Sequence, residues 1–349
     1  MIRSKNYIAT PPGATIKEQL GERGMSQREF SNRMGMSEKH ISKLINGEVQ
    51  LTPETAVKLE FVLGVSAKFW NNLEAIYREK IIKVEAENSM DSDKLLAQLM
   101  PYNEMAKLGW IPEATNITEK VINLRKYFEV VELSLLESNL ITRIACRRLA
   151  VTQKSDLALM AWAQKAKLES RRINTEPINV KGLVSSLPEI RKMTKQTPET
   201  FSPMLKKILA KYGIALVFLP HLQGSFLQGA TFINGNKCVV GLTTRGKDAD
   251  RFWFSLFHEL AHIVLGHIGQ PDGTTEEDEK SANRWARDWL IPEKEFKVFL
   301  EQNSISPQSV CQFAEKLEIA PGIVVGRLQN EGIINYNVMN ALKEQYIIQ

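Results

Sequence analysis

Cysteine is scarce in this chain: three in 349 residues, Cys146, Cys238 and Cys311, none paired with another as CxxC. That argues against a disulfide framework or a thiolate metal cluster, and the expected home is a reducing cytoplasm. Long apolar runs are also missing. No stretch reaches the roughly 18 residues that span a bilayer, and the opening MIRSKNYIATPPG has no apolar h-region, so neither membrane insertion nor secretion is expected. A glycine-rich phosphate loop and a dinucleotide-type motif are absent, which leaves nucleotide chemistry without support. No repeat of fixed period is visible. What is present, 43% hydrophobic and 24% charged residues, is the composition of a folded soluble protein, and the length fits two or three domains.

The net charge of +5 conceals an uneven spread. Residues 1–80 hold 12 basic against 9 acidic groups (+3), residues 140–215 hold 15 against 5 (+10), and the remainder is −8. The middle block contains Arg143, Arg147, Arg148, Lys165, Lys167, Arg171, Arg172 and Lys181. It reads either as a second face for an anionic partner or, preferably, as solvated helix surface balanced by acidic neighbours.

The first eighty residues read as short helices. One runs from about Ala14 to Arg23. Ser26 caps the next, with Glu29 placed to close a capping box, and Phe30 and Met34 share its inner face. Ser37 caps a third helix that carries Ile41, Leu44 and Ile45 inward and stops at Asn46–Gly47. Thr52–Pro53 opens a fourth, and Ser66 a fifth with Phe69, Trp70 and Leu73. Two short helices joined by a glycine-containing turn within such a bundle form a helix-turn-helix. The outward positions Glu38, Lys39, His40, Ser42 and Lys43, with Ser37 at the helix start and Gln27 on the preceding helix, are candidate contacts to base edges and phosphates.

On these residues, PPGATIKEQLGERGMSQREFSNRMGMSEKHISKLINGEVQLTPETAVKLEFVLGVSAKFW, the segment resembles the Xre-type helix-turn-helix family and, within it, HigA-like antitoxin repressors. The resemblance implies binding to double-stranded operator DNA, with a homodimer compensating for the weak charge of each protomer.

From about 81 to 195 apolar residues recur at helical spacing, as in Leu95, Leu96, Leu99 and Met100, then Leu135, Leu136, Ile141 and Ile144. After a helix at about 203–212 the pattern changes. Ile214–Leu219, Ala230–Ile233 and Cys238–Leu242 read as short strands, with Asn234–Gly235–Asn236 as a turn. A long apolar helix follows, containing His258–Glu259–Leu260–Ala261–His262.

Histidines four residues apart on a helix lie about 40° apart around its axis, so two imidazoles can share one Zn²⁺. Glu259, one position on, sits beside the ion and is the candidate catalytic group, taking a proton from water and passing it to the leaving amine. This is the HExxH pattern of zinc metalloproteases. A metzincin third ligand is excluded, because Leu265 and Ile268 stand where Gly and His are needed, and His267 reads as a surface or supporting residue. A gluzincin-type ligand is available in EKSANRWARDWLIP: Glu279 as ligand, with Asn283 one turn later orienting a histidine and Ala282 letting the helices approach. Glu276, Glu277 and Asp278 compete on position alone, and read better as an acidic helix start.

Residues 203–292, through ILAKYGIALVFLPHL, LQGATFINGNKCVVGLTTRGKDADRFWFSLFHELAHIVLGH and EKSANRWARDWLIP, resemble the ImmA/IrrE family of zinc endopeptidases. The resemblance implies metal on His258, His262 and Glu279, catalysis by Glu259, and selective cleavage of a repressor or antitoxin-like protein in phage, mobile-element or stress regulation. By analogy with other zincins, the strand near 229–233 would pair with the substrate backbone. The tail segment SVCQFAEKLEIAPGIVVGRLQN loosely repeats the spacing of Ser26–Asn46 but offers only Arg327 to a base, so it reads as a helical hairpin on the protease domain.

The expected architecture is mainly α with a small β-sheet: a five-helix DNA-binding bundle (1–80), a helical basic connector (81–200), an α+β gluzincin-like zincin core (201–292) and a helical hairpin (293–349). Two readings stay open. One is a DNA-binding regulator carrying a zinc endopeptidase that cuts a regulatory protein. The other is a toxin-partnered antitoxin or repressor whose zincin fold only senses or docks.

Overall fold

A computed structural model describes residues 2–4, 6–88, 90–136, 153–225, 228–243, 248–268, 274–302 and 304–346, with backbone alone for residues 88, 153 and 302. Ile141, Arg143, Ile144, Cys146, Arg147 and Arg148 lie outside the described residues. The chain divides into two compact units, Met1–Lys94 and Leu95–Gln349.

The first unit opens with a short antiparallel pair, β1 (Ile2–Arg3) and β2 (Ile8–Ala9), in the register Ile2 to Ala9. Helices α1 (Gly13–Glu22), α2 (Gln27–Met34), α3 (Glu38–Asn46), α4 (Pro53–Leu63) and α5 (Ala67–Asn88) follow. Their punctuation follows local chemistry. The Ser37 hydroxyl accepts from the His40 N–H and the Thr52 hydroxyl from the Thr55 N–H, each cap contributing about 1 kcal/mol. Gly35 and Gly47 end α2 and α3 in the left-handed conformation that glycine tolerates best. The expected capping box at α2 is only half formed. Ser26 accepts from the Glu29 N–H, but the Glu29 carboxylate turns to Arg33 four residues on, because a guanidinium is the stronger partner. Ile16, Phe30, Met34, Ile41, Leu44, Leu59 and Trp70 form the core. A boundary at residue 80 falls inside α5, which continues because Tyr77, Ile81 and Val84 keep helical spacing and pack with Tyr7 and Ala9.

Helix α6 (Asp91–Leu99) straddles the division, and α7 (Tyr102–Lys107), α8 (Ile117–Phe128), α9 (Gln153–Ser170), α10 (Val180–Lys192) and α11 (Pro198–Lys211) lead to the sheet. Strand β3 (Ile214–Leu219) runs parallel to the central β5 (Lys237–Thr243), and β4 (Gly229–Asn234) is antiparallel to β5 at the edge. Gly241 on β5 lets α9 press onto the sheet, since a Cβ there would lie 2.7 Å from the Trp162 ring. Then come α12 (Ala249–Val264), α13 (Glu276–Leu290), α14 (Glu293–Gln302), α15 (Pro307–Lys316) and α16 (Pro321–Asn330).

Helix α12 is apolar nearly all round, and every residue from Ser255 to Ile263 is buried. It shares one core with β3, β5, α10, α11 and the C-terminal helices, anchored by Trp253, whose indole N–H donates to Tyr346 Oη at 2.9 Å. The tail segment therefore belongs to this core. Helix α16 buries Ile323, Val324, Val325 and Leu328. Arg327, its lone candidate for a base, is bound to Ile291 O, Glu293 and Glu331. Among the described residues of the basic block, Arg171 pairs with both oxygens of Glu129, Lys165 with Glu169, Lys192 with Glu318 and Lys195 with Glu315.

Candidate metal centre and DNA-reading helix

The buried stretch of α12 carries His258, Glu259 and His262, and α13 packs along it through Ala282, Ala286 and Leu290, which leave room for close approach. That packing brings Glu279 to the two histidines. His258 Nε2 and His262 Nε2 lie 3.1 Å apart, and the Glu279 oxygens lie 3.3 and 3.5 Å from them. One ligand atom from each residue falls within 4.8 Å of the others.

These residues fit a metal ion better than they fit one another. Among the described residues, both Glu279 carboxylate oxygens and His258 Nδ1 are buried without a hydrogen-bond partner, an arrangement costing about 1–3 kcal/mol per group unless something else satisfies it. Two imidazole nitrogens and one carboxylate form a donor set suited to zinc. Burial, and after it the His258 charge, push His262 down to about 4, which keeps it the neutral imidazole that a ligand must be. Burial raises Glu279, but the two imidazoles outweigh it and hold its carboxyl below the usual range. For His258 burial acts downward, and Glu279, Glu259 and the Asn283 amide together overcome it and raise the group.

The Glu259 carboxylate reaches the edge strand. Its Oε2 accepts a 2.5 Å hydrogen bond from Thr231 on β4, and burial lifts its carboxyl to about 7 despite the opposing pull of His258 and Thr231. Gly229, at the start of β4, lies against the same carboxylate: a Cβ there would sit 2.6 Å from Glu259 Oε1.

Of the two readings for His267, surface or supporting residue, the structure favours the second. His267 is buried, its Nδ1 lies 3.1 Å from His262 Nδ1, and its Nε2 lies 3.5 Å from Asp278. The turn after α12 swings it back under the helix, which helical projection alone could not show. Asp278 itself closes a capping box with Thr275, as an acidic helix start should. Thr231 and Gly229 carried no motif. Their only sequence signal is their place on a strand near the HExxH helix.

In the first unit, Ser37, Lys39 and Lys43 are exposed on α3, His40 and Ser42 are half-buried, and Gln27 is exposed at the start of α2. Sequence reasoning passed over Arg28. Its guanidinium lies 3.5 Å from Glu38, an exposed pair that offsets the acidic group on the reading face.

Comparison with known proteins agrees with this division. A helix-turn-helix family model matches residues 16–70, and the Peptidase M78 model, described as an IrrE N-terminal-like domain, matches residues 211–329. The uncharacterized HTH-type transcriptional regulator YddM of Escherichia coli (strain K12) is 38% identical over 84 residues, which are 24% of this chain and 85% of that protein. An addiction module antidote protein of a HigA family from Coxiella burnetii is 24% identical, with a TM-score of 0.22, over 24% of this chain and 92% of that one. The chain belongs to the HTH-type transcriptional regulators, its N-terminal helix-turn-helix domain joined to a C-terminal IrrE N-terminal-like peptidase domain.

Proposed function

We propose that this protein is an operator-binding regulator carrying a zinc-dependent endopeptidase that cuts a specific regulatory protein, a repressor or an antitoxin-like partner. The observation that carries the reading is the convergence of His258, His262 and Glu279, with no hydrogen bond to either Glu279 oxygen among the described residues and with Glu259 alongside. When bound, Zn²⁺ supplies Lewis acidity toward a peptide carbonyl and makes water more acidic. The chain's own groups do the rest. Glu259, held by Thr231 and lifted to about 7, takes a proton from the attacking water and returns it to the leaving amine. Strand β4, at the edge of the sheet among the described residues, offers backbone groups to an extended substrate. The test is incubation of the zinc-loaded chain with itself and with the proteins encoded beside it, with products read by mass spectrometry. A single defined cut that Glu259→Gln abolishes supports the reading, and no cut in any of them sinks it.

Two further outcomes are expected. His262→Ala should weaken zinc binding by more than about 100-fold in isothermal titration, while His267→Ala, which removes only the group behind His262, should cost about 10–100-fold. Equal losses would contradict the assigned ligand set. For DNA, a homodimer presenting two α3 helices would compensate for the modest charge of one. Replacing Lys39 and Lys43 with alanine should weaken operator binding and lower the slope of log affinity against log salt by about 1 for each phosphate no longer neutralised. An unchanged slope would remove these lysines from the interface.

A further inference from the structure

We propose that the cavity beside the metal-ligand cluster is a side-chain specificity pocket for the peptide substrate. It would select a residue with an apolar stem and a neutral hydrogen-bond donor at its tip, as in glutamine or tyrosine. The proposal rests on the endopeptidase reading above.

The cavity, of about 270 Å³, opens between α12, α13 and α16. Asp250, Phe254 and His258 recur every four residues on α12, and Glu279, Asn283 and Arg287 do so on α13. Residues at that interval share a helix face, so the faces bearing the ligands continue into the cavity, which Asp250, Phe254 and Arg287 line. The rings of Phe254 and His258 are 6.3 Å apart. Gln228, which also lines the cavity, accepts a hydrogen bond from Ser255 and immediately precedes Gly229, the glycine against Glu259. A substrate aligned with β4 would therefore have a side chain at the mouth of the cavity.

Its depth carries the selectivity. Gly326 lets α16 press against Asp250, where a Cβ would come within 2.3 Å of Oδ2. The Asp250 side chain is only 10% exposed; Oδ2 takes Lys343 at 2.8 Å, and Oδ1 is buried with no hydrogen-bond partner among the described residues. A buried acceptor left open in a cavity is satisfied by a donor that enters it. Arg287, Arg327 and Lys343 line the same space and disfavour a cationic tip. An anionic tip meets the open oxygen of Asp250, while the four cations of the lining, Arg251, Arg287, Arg327 and Lys343, each already face a carboxylate. Phe254, Leu290 and Ile323 leave apolar wall for the stem.

The test incubates the zinc-loaded full chain with a mixture of degenerate decapeptides and reads cleavage sites by mass spectrometry. The wild type should show glutamine or tyrosine enriched at least tenfold over alanine, glutamate and lysine at one position adjoining the cut. Asp250→Asn should bring that enrichment below threefold. Because Asp250→Asn also strips Lys343 of its partner, Arg287→Ala, at a half-exposed position of the lining, serves as a second variant and should lower the enrichment over lysine. Cleavage without such a preference, or a preference that both variants keep, overturns the proposal. If the wild type cuts nothing, the endopeptidase reading fails separately. The pocket is then judged by N-acetyl-tyrosinamide and N-acetyl-glutaminamide binding in saturation-transfer NMR: binding lost in Asp250→Asn upholds it, and equal binding or none overturns it.

Discussion

Glu259→Gln is expected to slow substrate cleavage by about 10²–10⁴-fold while leaving the fold and the zinc affinity unchanged. The exchange preserves size and shape in a side chain that is fully buried on α12, so no cavity opens and no helix is disturbed. Thr231 can still donate to an amide oxygen, so the side chain keeps its place. What disappears is the ability to hold and release a proton, together with the buried negative charge whose carboxyl sits near 7. Zinc affinity by titration calorimetry and cleavage rate under identical loading separate the two roles. A variant that cuts at the wild-type rate would remove Glu259 from the proton transfer. One that loses zinc equally would make Glu259 a ligand, contrary to the geometry that turns it toward β4.

Gly13→Ala carries the largest expected effect on stability. Gly13 begins α1 against the end of α3, and a Cβ there would lie 2.0 Å from the carbonyl oxygen of Ile45. Backbone cannot swing aside as a long side chain does, so α1 and α3 must separate. The cost is about 3 kcal/mol, at the upper end for overpacking, and corresponds to a fall of about 10–20 °C in the melting temperature of a unit this size. Because α3 also carries Lys39 and Lys43, operator affinity should fall with it. Gly21→Ala is the control. It stands in the same helix with nothing within 4 Å of its Cβ, and should stabilise by about 0.5–1 kcal/mol. Calorimetry of both variants checks the pair; equal melting temperatures would show that the α1–α3 packing tolerates a methyl group.

The sequence made much of this legible because the rules involved are local. Ser37, Thr52, Gly35 and Gly47 mark helix ends by what their own atoms and φ angles do, and the structure places helix ends there. The spacing of His258 and His262 determines a shared helix face before any tertiary contact forms. Glu29 marks the limit of such reasoning, since two local partners competed for one carboxylate and Arg33 won it over the Ser26 backbone.

Other features depend on where separate segments meet. Thr231 and Gly229 engage Glu259 from 28 and 30 residues away, His267 returns beneath His262 through a turn, and Asp250 is enclosed only because Gly326 admits α16. Nor were the acidic partners that Arg171, Lys192 and Lys195 of the +10 block find outside it legible before they were seen in space. Sequence alone determined which residues could bind a metal, cap a helix or face DNA, because spacing and side-chain chemistry are properties of the chain. Tertiary structure decided which groups were left buried and unpaired, here the oxygens of Glu279 and Oδ1 of Asp250, because desolvation depends on every segment that packs around a group.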